Sequence, residues 1–199
     1  MKLGIDVSEN NGYVDWQAVR NAGVEFAIVR SSYGKYSNDD MFLRNVNGAH
    51  SVGLLCGAYH YSYALNEYEA RLEADNCRNA IAQAGVLLEL PVAWDFEDAD
   101  GFKRRNGFAF DYNQNTAMAK TFLDNLGLNG FIYASYSWLC DYIDWQVLGC
   151  PVWNAQWLSG YNPDVFNRLG ENKLPAYMWQ YTDKLIINGK QFDGNVMYE

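Results

Sequence analysis

Leu90-Pro91-Val92-Ala93-Trp94-Asp95-Phe96-Glu97-Asp98 is the stretch on which the fold turns. It reads as a short buried strand that ends in two carboxylates, Asp95 and Glu97. Side chains alternate along a strand, so positions 95 and 97 share one face with Cα atoms ~6.6 Å apart, and Trp94 and Phe96 take the other. Like charges on an apolar strand repel one another and are costly to desolvate, so folding alone gains nothing from them. Paired carboxylates are what cleavage of a glycosidic bond requires. The structural alternative is a pair of acids saturated by arginines.

Working outward from this strand, seven more strand-like stretches emerge. Residues 3–7 alternate, with Leu3, Ile5 and Val7 on one face and Gly4 and Asp6 on the other. Residues 24–31 are near-continuously apolar, as in parallel strands covered on both faces. Residues 53–61, 130–135, 151–156, 176–181 and 191–196 complete the set. Between the early strands lie helical patterns. Asp15 caps one that Gly23 closes, and others cover 39–51, 67–84 with Gly85 as its stop, 116–126 and 137–147. Residues 98–113 read as a long polar and aromatic loop, and helical signals fade after 147.

Alternating strands and helices predict a parallel α/β sheet, and eight strands predict its closure into a barrel. The 199 residues fall short of the ~250 typical of a full TIM barrel, so the late helices are expected to be missing. In such barrels active sites lie at the C-terminal ends of the strands. Asp6, Arg30, Tyr61, Asp95, Glu97, Tyr133, Gln180 and Asp193 all fall at or near strand ends. An open, doubly wound sheet is the alternative, and in it Asp6 and Asp193 need not meet.

Composition narrows the function. Aromatic residues make up 16% of the chain, with 7 Trp and 15 Tyr, a load that fills cores and also lines sugar-binding grooves. The net charge of −9 disfavours nucleic acid and anionic membrane surfaces, and no stretch approaches the length of a membrane span. His50 and His60 are the only histidines, and Cys56, Cys77, Cys140 and Cys150 form no C-x-x-C pair. A hydrolytic zinc site is therefore not expected, although scattered ligands leave that open. No cofactor is implied. The cysteines read as buried thiols, with a Cys140–Cys150 bridge as the alternative.

Seven motifs in order then carry a resemblance across the whole chain. They are Gly4-Ile5-Asp6-Val7-Ser8, Asp15-Trp16, Phe26-Ala27-Ile28-Val29-Arg30, Gly57-Ala58-Tyr59-His60-Tyr61, Asp95-Phe96-Glu97, Trp179-Gln180-Tyr181 and Asp193-Gly194-Asn195-Val196. Together they resemble glycoside hydrolase family 25, the Chalaropsis-type lysozymes common among phage endolysins. The resemblance implies a flattened, irregular TIM-like barrel, (β/α)5β3, with helices mainly between the first five strands. It also implies an N-acetylmuramidase that cleaves the β-1,4 bond between N-acetylmuramic acid and N-acetylglucosamine in peptidoglycan. Trp94 departs from the aliphatic residue many members have before the Asp, but it faces away from the acids.

On this reading residues 1–199 are one catalytic domain with no wall-binding module, acting as a monomer. Glu97 is the general acid, since nearby negative charges push its proton affinity upward. Asp95 is an electrostatic partner of the developing oxocarbenium or oxazoline-like state, with possible assistance from the substrate's N-acetyl group. Asp6 and Asp193 hold a water or the acetamido group, or simply bond backbone amides. Arg30 pairs with one of these acids or touches substrate, and Tyr61, Tyr133, Trp153 and Gln180 are sugar contacts or core. His60 reads as a hydrogen-bonded barrel residue, and Lys103, Arg104 and Arg105 as a solvated loop. The alternatives of another class are an inactive peptidoglycan-binding module and a wall amidase. The absence of a recognisable signal peptide predicts cytoplasmic synthesis, with release of a phage lysin through a membrane lesion.

Overall fold

A computed structural model describes residues 1–157 and 176–198. The strands are β1 (Lys2–Val7), β2 (Phe26–Tyr33), β3 (Ser37–Asn38), β4 (Leu55–Tyr61), β5 (Val92–Asp95), β6 (Gly130–Ser135), β7 (Val152–Ala155), β8 (Ala176–Ile187) and β9 (Lys190–Met197). The helices are α1 (Trp16–Asn21), α2 (Phe42–Ser51), α3 (Glu67–Ala84), α4 (Phe102–Arg105), α5 (Tyr112–Leu126), α6 (Tyr136–Asp141) and α7 (Trp145–Leu148). The sheet runs β1-β9-β8-β7-β6-β5-β4-β2 and closes through β1–β2 pairing, with the two-residue β3 added beside β2. The eight expected strands thus form a closed barrel. None of the helices among the described residues is long and apolar enough to cross a membrane.

The barrel is not wholly parallel. β9 runs antiparallel to both β8 and β1. The cause is local: Asn188 and Gly189, with φ of 50° and 76°, form a two-residue connection between β8 and β9. Positive φ at both central residues makes a hairpin, and a hairpin can only join antiparallel strands. Its tip is anchored by Lys190 Nζ, which donates to the carbonyls of Asn11 and, at 2.7 Å, Tyr13. Gly189→Val would force a branched side chain into the left-handed region and is expected to cost about 1–2 kcal/mol, measurable by urea denaturation.

Two packing layers follow from strand alternation. Phe26, Ile28, Ala93, Phe131, Trp153 and Met178 fill the barrel interior. Ile5, Val7, Ala27, Val29, Trp94 and Phe96 face the helices, where Trp94 stacks on Phe96 at 4.9 Å and packs against Phe122 of α5. Gly4 points inward, and a Cβ there would lie 2.2 Å from the Phe26 ring, so only glycine lets that ring plug the barrel floor.

Several expected boundaries move. β5 stops at Asp95, so Glu97 lies beyond the strand rather than on it. There the chain turns, because Lys103 Nζ takes the Glu97 carbonyl at 2.8 Å. The expected loop at 98–113 contains α4, and α5 begins four residues early because the Asp111 side chain caps it by accepting from Gln114 N–H. The helix expected over 137–147 is two short ones. Asn115 Nδ2 donates to the Tyr142 carbonyl at 3.1 Å, and Thr116 Oγ1 accepts from Asp144 N–H at 2.8 Å, which interrupts the helical ladder. Helix α2 begins at Phe42 and not Asp39, whose carboxylate is committed to Glu9 N–H, Met41 N–H and Arg30. Residues 158–175, read as an aperiodic connection, lie outside the described residues.

Candidate active site

A cleft of ≈ 480 Å³ opens at the rim where the parallel strands end, and all nine candidate residues line it: Asp6, Arg30, Tyr61, Asp95, Glu97, Tyr133, Trp153, Gln180 and Asp193. Barrel closure brings the first and last strands together, and Asp6 pairs directly with Asp193 in the β1–β9 register. Asp193 lies within β9 and not at its C-terminal end, because that strand descends from the rim.

Asp6 is held from one side by amides. Its Oδ2 accepts from Gln180 Nε2 at 2.9 Å and Asn195 Nδ2 at 2.8 Å. Each amide is oriented in turn. Tyr133 OH and Trp157 Nε1 donate to Gln180 Oε1 at 3.0 and 2.9 Å, and Trp153 Nε1 donates to Asn195 Oδ1 at 2.8 Å. Burial, then the charge of Asp193, raises the Asp6 pKa well above the carboxylate range despite these donors. Asp193 is raised as well, chiefly by burial. Replacing Asn195 by Leu removes one donor to Asp6 and orphans the buried Trp153 N–H. A loss of about 2 kcal/mol is expected from that unsatisfied pair, and equilibrium denaturation would read it.

Asp95 and Glu97 form the second acidic pair. Asp95 is buried between Tyr61 of β4 and Tyr133 of β6, its partners in the parallel register. Its Oδ1 has no hydrogen-bond partner among the described residues. Burial, followed by the charge of Glu97, raises its pKa well above the usual value, and Lys103 opposes this. Glu97 is pushed up to about 7, mainly by burial, again with Lys103 in opposition and with Asp193, Asp100 and Asp98 adding to the rise. Two carboxyls so placed titrate as a unit, and the pair retains a proton near neutrality. Among the described residues no arginine forms an ion pair with either of them.

Arg30 lines the cleft but pairs with none of these four acids. Its Nε meets Asp39 at 2.8 Å and its second guanidinium nitrogen meets Glu9 at 3.0 Å. His60 lies behind the cleft, fully buried, with Nδ1 2.8 Å from Ser32 Oγ and Nε2 3.6 Å from Glu73. The solvated reading of residues 103–105 fails at Lys103, which is 1% exposed. α4 turns that side chain inward, and its Nζ donates to the carbonyls of Ser62 and Glu97. All four cysteines are free, so Cys140 and Cys150 form no bridge.

Sequence reasoning passed over Tyr59, Tyr63, Asp100 and Trp157, which also line the cleft. A signal for two of them was present: Tyr59, Tyr61 and Tyr63 alternate with His60 and Ser62, a period of two that sends all three tyrosines to one face. Tyr63 OH donates to Asp100 Oδ2 at 2.9 Å, and its ring sits 5.1 Å from that of Tyr61. Outside the cleft, His50, Cys56 and Glu89 gather within 4.8 Å of one another, but Glu89 Oε2 already meets His50 Nε2 at 3.2 Å and accepts from Cys56 N–H at 2.9 Å.

The sequence profile of glycosyl hydrolases family 25 matches residues 5–190. The chain belongs to that family. Among curated relatives, the autolytic lysozyme of Clostridium acetobutylicum is 28% identical over 188 residues, which cover 94% of this chain and 52% of the relative. The chain therefore spans about half the length of that lysozyme. Among solved structures, the modular autolysin LytC of Streptococcus pneumoniae, in complex with a synthetic peptidoglycan ligand, superposes with a TM-score of 0.78 at 22% identity, over 99% of this chain and 46% of LytC. The bacterial lysozyme of Streptomyces coelicolor superposes with a TM-score of 0.73 at 22% identity, over 100% of this chain and 92% of that one. At such identities these two likenesses show the fold alone.

Proposed function

We propose that this chain is an N-acetylmuramidase that cleaves the β-1,4 bond between N-acetylmuramic acid and N-acetylglucosamine in bacterial peptidoglycan. The observation that carries this reading is the Asp95–Glu97 pair, buried at Asp95 and half-buried at Glu97, at the rim of a family 25 barrel, with Glu97 raised to about 7. Glu97 donates its proton to the glycosidic oxygen as the C1–O bond breaks, and Asp95 stabilises the positive charge that develops on the oxocarbenium or oxazoline-like state. Water supplies hydroxide to C1 and returns a proton to the site. Asp6 and Asp193 orient the acetamido group or the incoming water, and the amide clamp on Asp6 serves that purpose.

The cleft walls suit a neutral sugar chain. Tyr61, Tyr63 and the half-exposed Trp157 offer ring faces to sugar C–H groups, and Tyr133, Trp153 and Gln180 brace the floor. The lysozyme, autolysin and endolysin names borne by relatives support a wall polymer as substrate. The endolysin names among the structural neighbours, one of them from a bacteriophage, support the further reading of a phage lysin acting on the wall. Incubation with purified cell walls tests the activity: soluble muropeptides are expected, and retention on the wall without release would indicate an inactive binding module.

A further inference from the structure

Lys103 is a buried cation that the glycan-cleaving chemistry leaves without a task. It is 1% exposed, and its Nζ donates to two backbone carbonyls, Ser62 after β4 and Glu97 after β5. The ammonium sits 5.2 Å from the Phe96 ring centre and 6.0 Å from that of Tyr61, which seal it from solvent. Carbonyls take two of its three N–H groups but do not neutralise its charge.

Among the described residues four acids face Lys103: Glu73 from α3, Asp95 from β5, and Glu97 and Asp98 from the segment that follows. Two of them are already satisfied. Glu73 accepts from Ser62 Oγ at 2.6 Å and Tyr63 N–H at 2.7 Å, with His60 Nε2 at 3.6 Å. Asp98 accepts from the backbone N–H groups of Lys103 and Arg104 and from the Arg104 guanidinium. The remaining two are Asp95, whose Oδ1 has no partner among the described residues, and Glu97. On their other side they meet Asp6, Asp100, Asp193, Arg30, Tyr61 and Tyr133, and Arg30 is engaged by Glu9 and Asp39. The field of Lys103 thus falls on the catalytic pair, in a region where poor solvent screening makes it count.

We propose that Lys103 is a positioning residue of this site, one that fixes the backbone from which Glu97 projects and holds the Asp95–Glu97 pair at a single negative charge. Without a cation, burial would favour a proton on each carboxyl, and a doubly protonated pair has an acid but no anion to meet the oxocarbenium charge. With a directly paired arginine, both would ionise and the acid would be lost. A lysine held one step away, on the carbonyl of Glu97 and not on its carboxylate, leaves room for a single negative charge. The proposal rests on the muramidase reading for the use made of that charge, though not for its existence.

Carboxyl 13C titration by NMR, on the wild-type protein and on Lys103→Met, tests it without substrate. The methionine keeps the stem and removes the charge. Both carboxyl midpoints are expected to move up by about one pH unit, and the pH–rate profile on peptidoglycan fragments is expected to move with them. Unmoved midpoints in a folded variant would overturn the proposal, as would a fall in rate with no displacement of the profile, the mark of a merely structural side chain. Should the variant not fold, the 15N resonance of Lys103 Nζ in the wild-type protein decides: a charged ammonium that reports the Glu97 titration is expected, and a neutral amine or an indifferent one contradicts it. A wild-type protein with no muramidase activity would sink the functional reading while leaving these titrations to stand or fall alone.

Discussion

Glu97→Gln is expected to lower turnover of peptidoglycan by about 10²–10⁴-fold, the usual contribution of a positioned general acid, with substrate affinity little changed. The amide keeps the shape and polarity of the side chain and removes only the transferable proton. The same substitution is expected to stabilise the fold at alkaline pH. Glu97 titrates at about 7 in the folded protein, above its unfolded value, so the native state binds the extra proton and loses stability as pH rises from the unfolded to the folded pKa. Glutamine carries no such liability. Allowing for partial exposure of the carboxyl, the variant should exceed the wild type by about 2 kcal/mol above pH 7 and match it below the unfolded carboxylate pKa. Thermal melts at the two ends of that range measure the difference. Near-normal lysis by the variant would remove Glu97 from the chemistry.

Asp95→Asn is the second large effect. Loss of the anion beside the developing positive charge is expected to reduce kcat by about 10²–10³-fold. It should also move the alkaline limb of the pH–rate profile downward. The charge of Asp95 is one of the reasons the pair holds its proton, so Glu97 alone becomes a stronger acid and deprotonates earlier. A variant that loses rate yet keeps the wild-type alkaline limb would separate the two carboxyls and defeat their treatment as a unit. Lys103→Met moves the limb the opposite way. The signs of the two shifts therefore test one electrostatic picture from both sides.

Much of this was legible because strands and barrel rims have simple periodicities. The alternation of Leu3, Ile5 and Val7 with Gly4 and Asp6 placed the first acid inside the barrel, and barrel closure then required it to meet the last strand. The direction of that last strand was not read and a parallel sheet was expected, although Asn188-Gly189, a dipeptide that tolerates positive φ and favours a hairpin, carried the signal. What resisted reading depended on long-range partners. Lys103, Arg104 and Arg105 look alike as a charge run, and only the single turn of α4 sends the first inward and leaves the others outside. Glu97 shares a face with Asp95 on a continued strand, yet the strand ends first because a residue six positions on captures its carbonyl. Arg30 was free to choose among several acids, and the choice of Glu9 and Asp39 depends on how the segment before α2 folds back. Asn195 stands in the Asp193-Gly194-Asn195-Val196 motif, but its task of holding Asp6 from the neighbouring strand shows only once barrel closure sets the register.

Cleavage between N-acetylmuramic acid and N-acetylglucosamine is the central claim, and the chemistry of the new ends tests it most directly. Purified peptidoglycan is digested, the products are reduced with borohydride, and the reduced sugars and free amino groups are identified by mass spectrometry. The expected result is reduced N-acetylmuramic acid at the new termini, absent from digests with Glu97→Gln. Reduced N-acetylglucosamine, or newly freed amino groups with intact glycan strands, would contradict it.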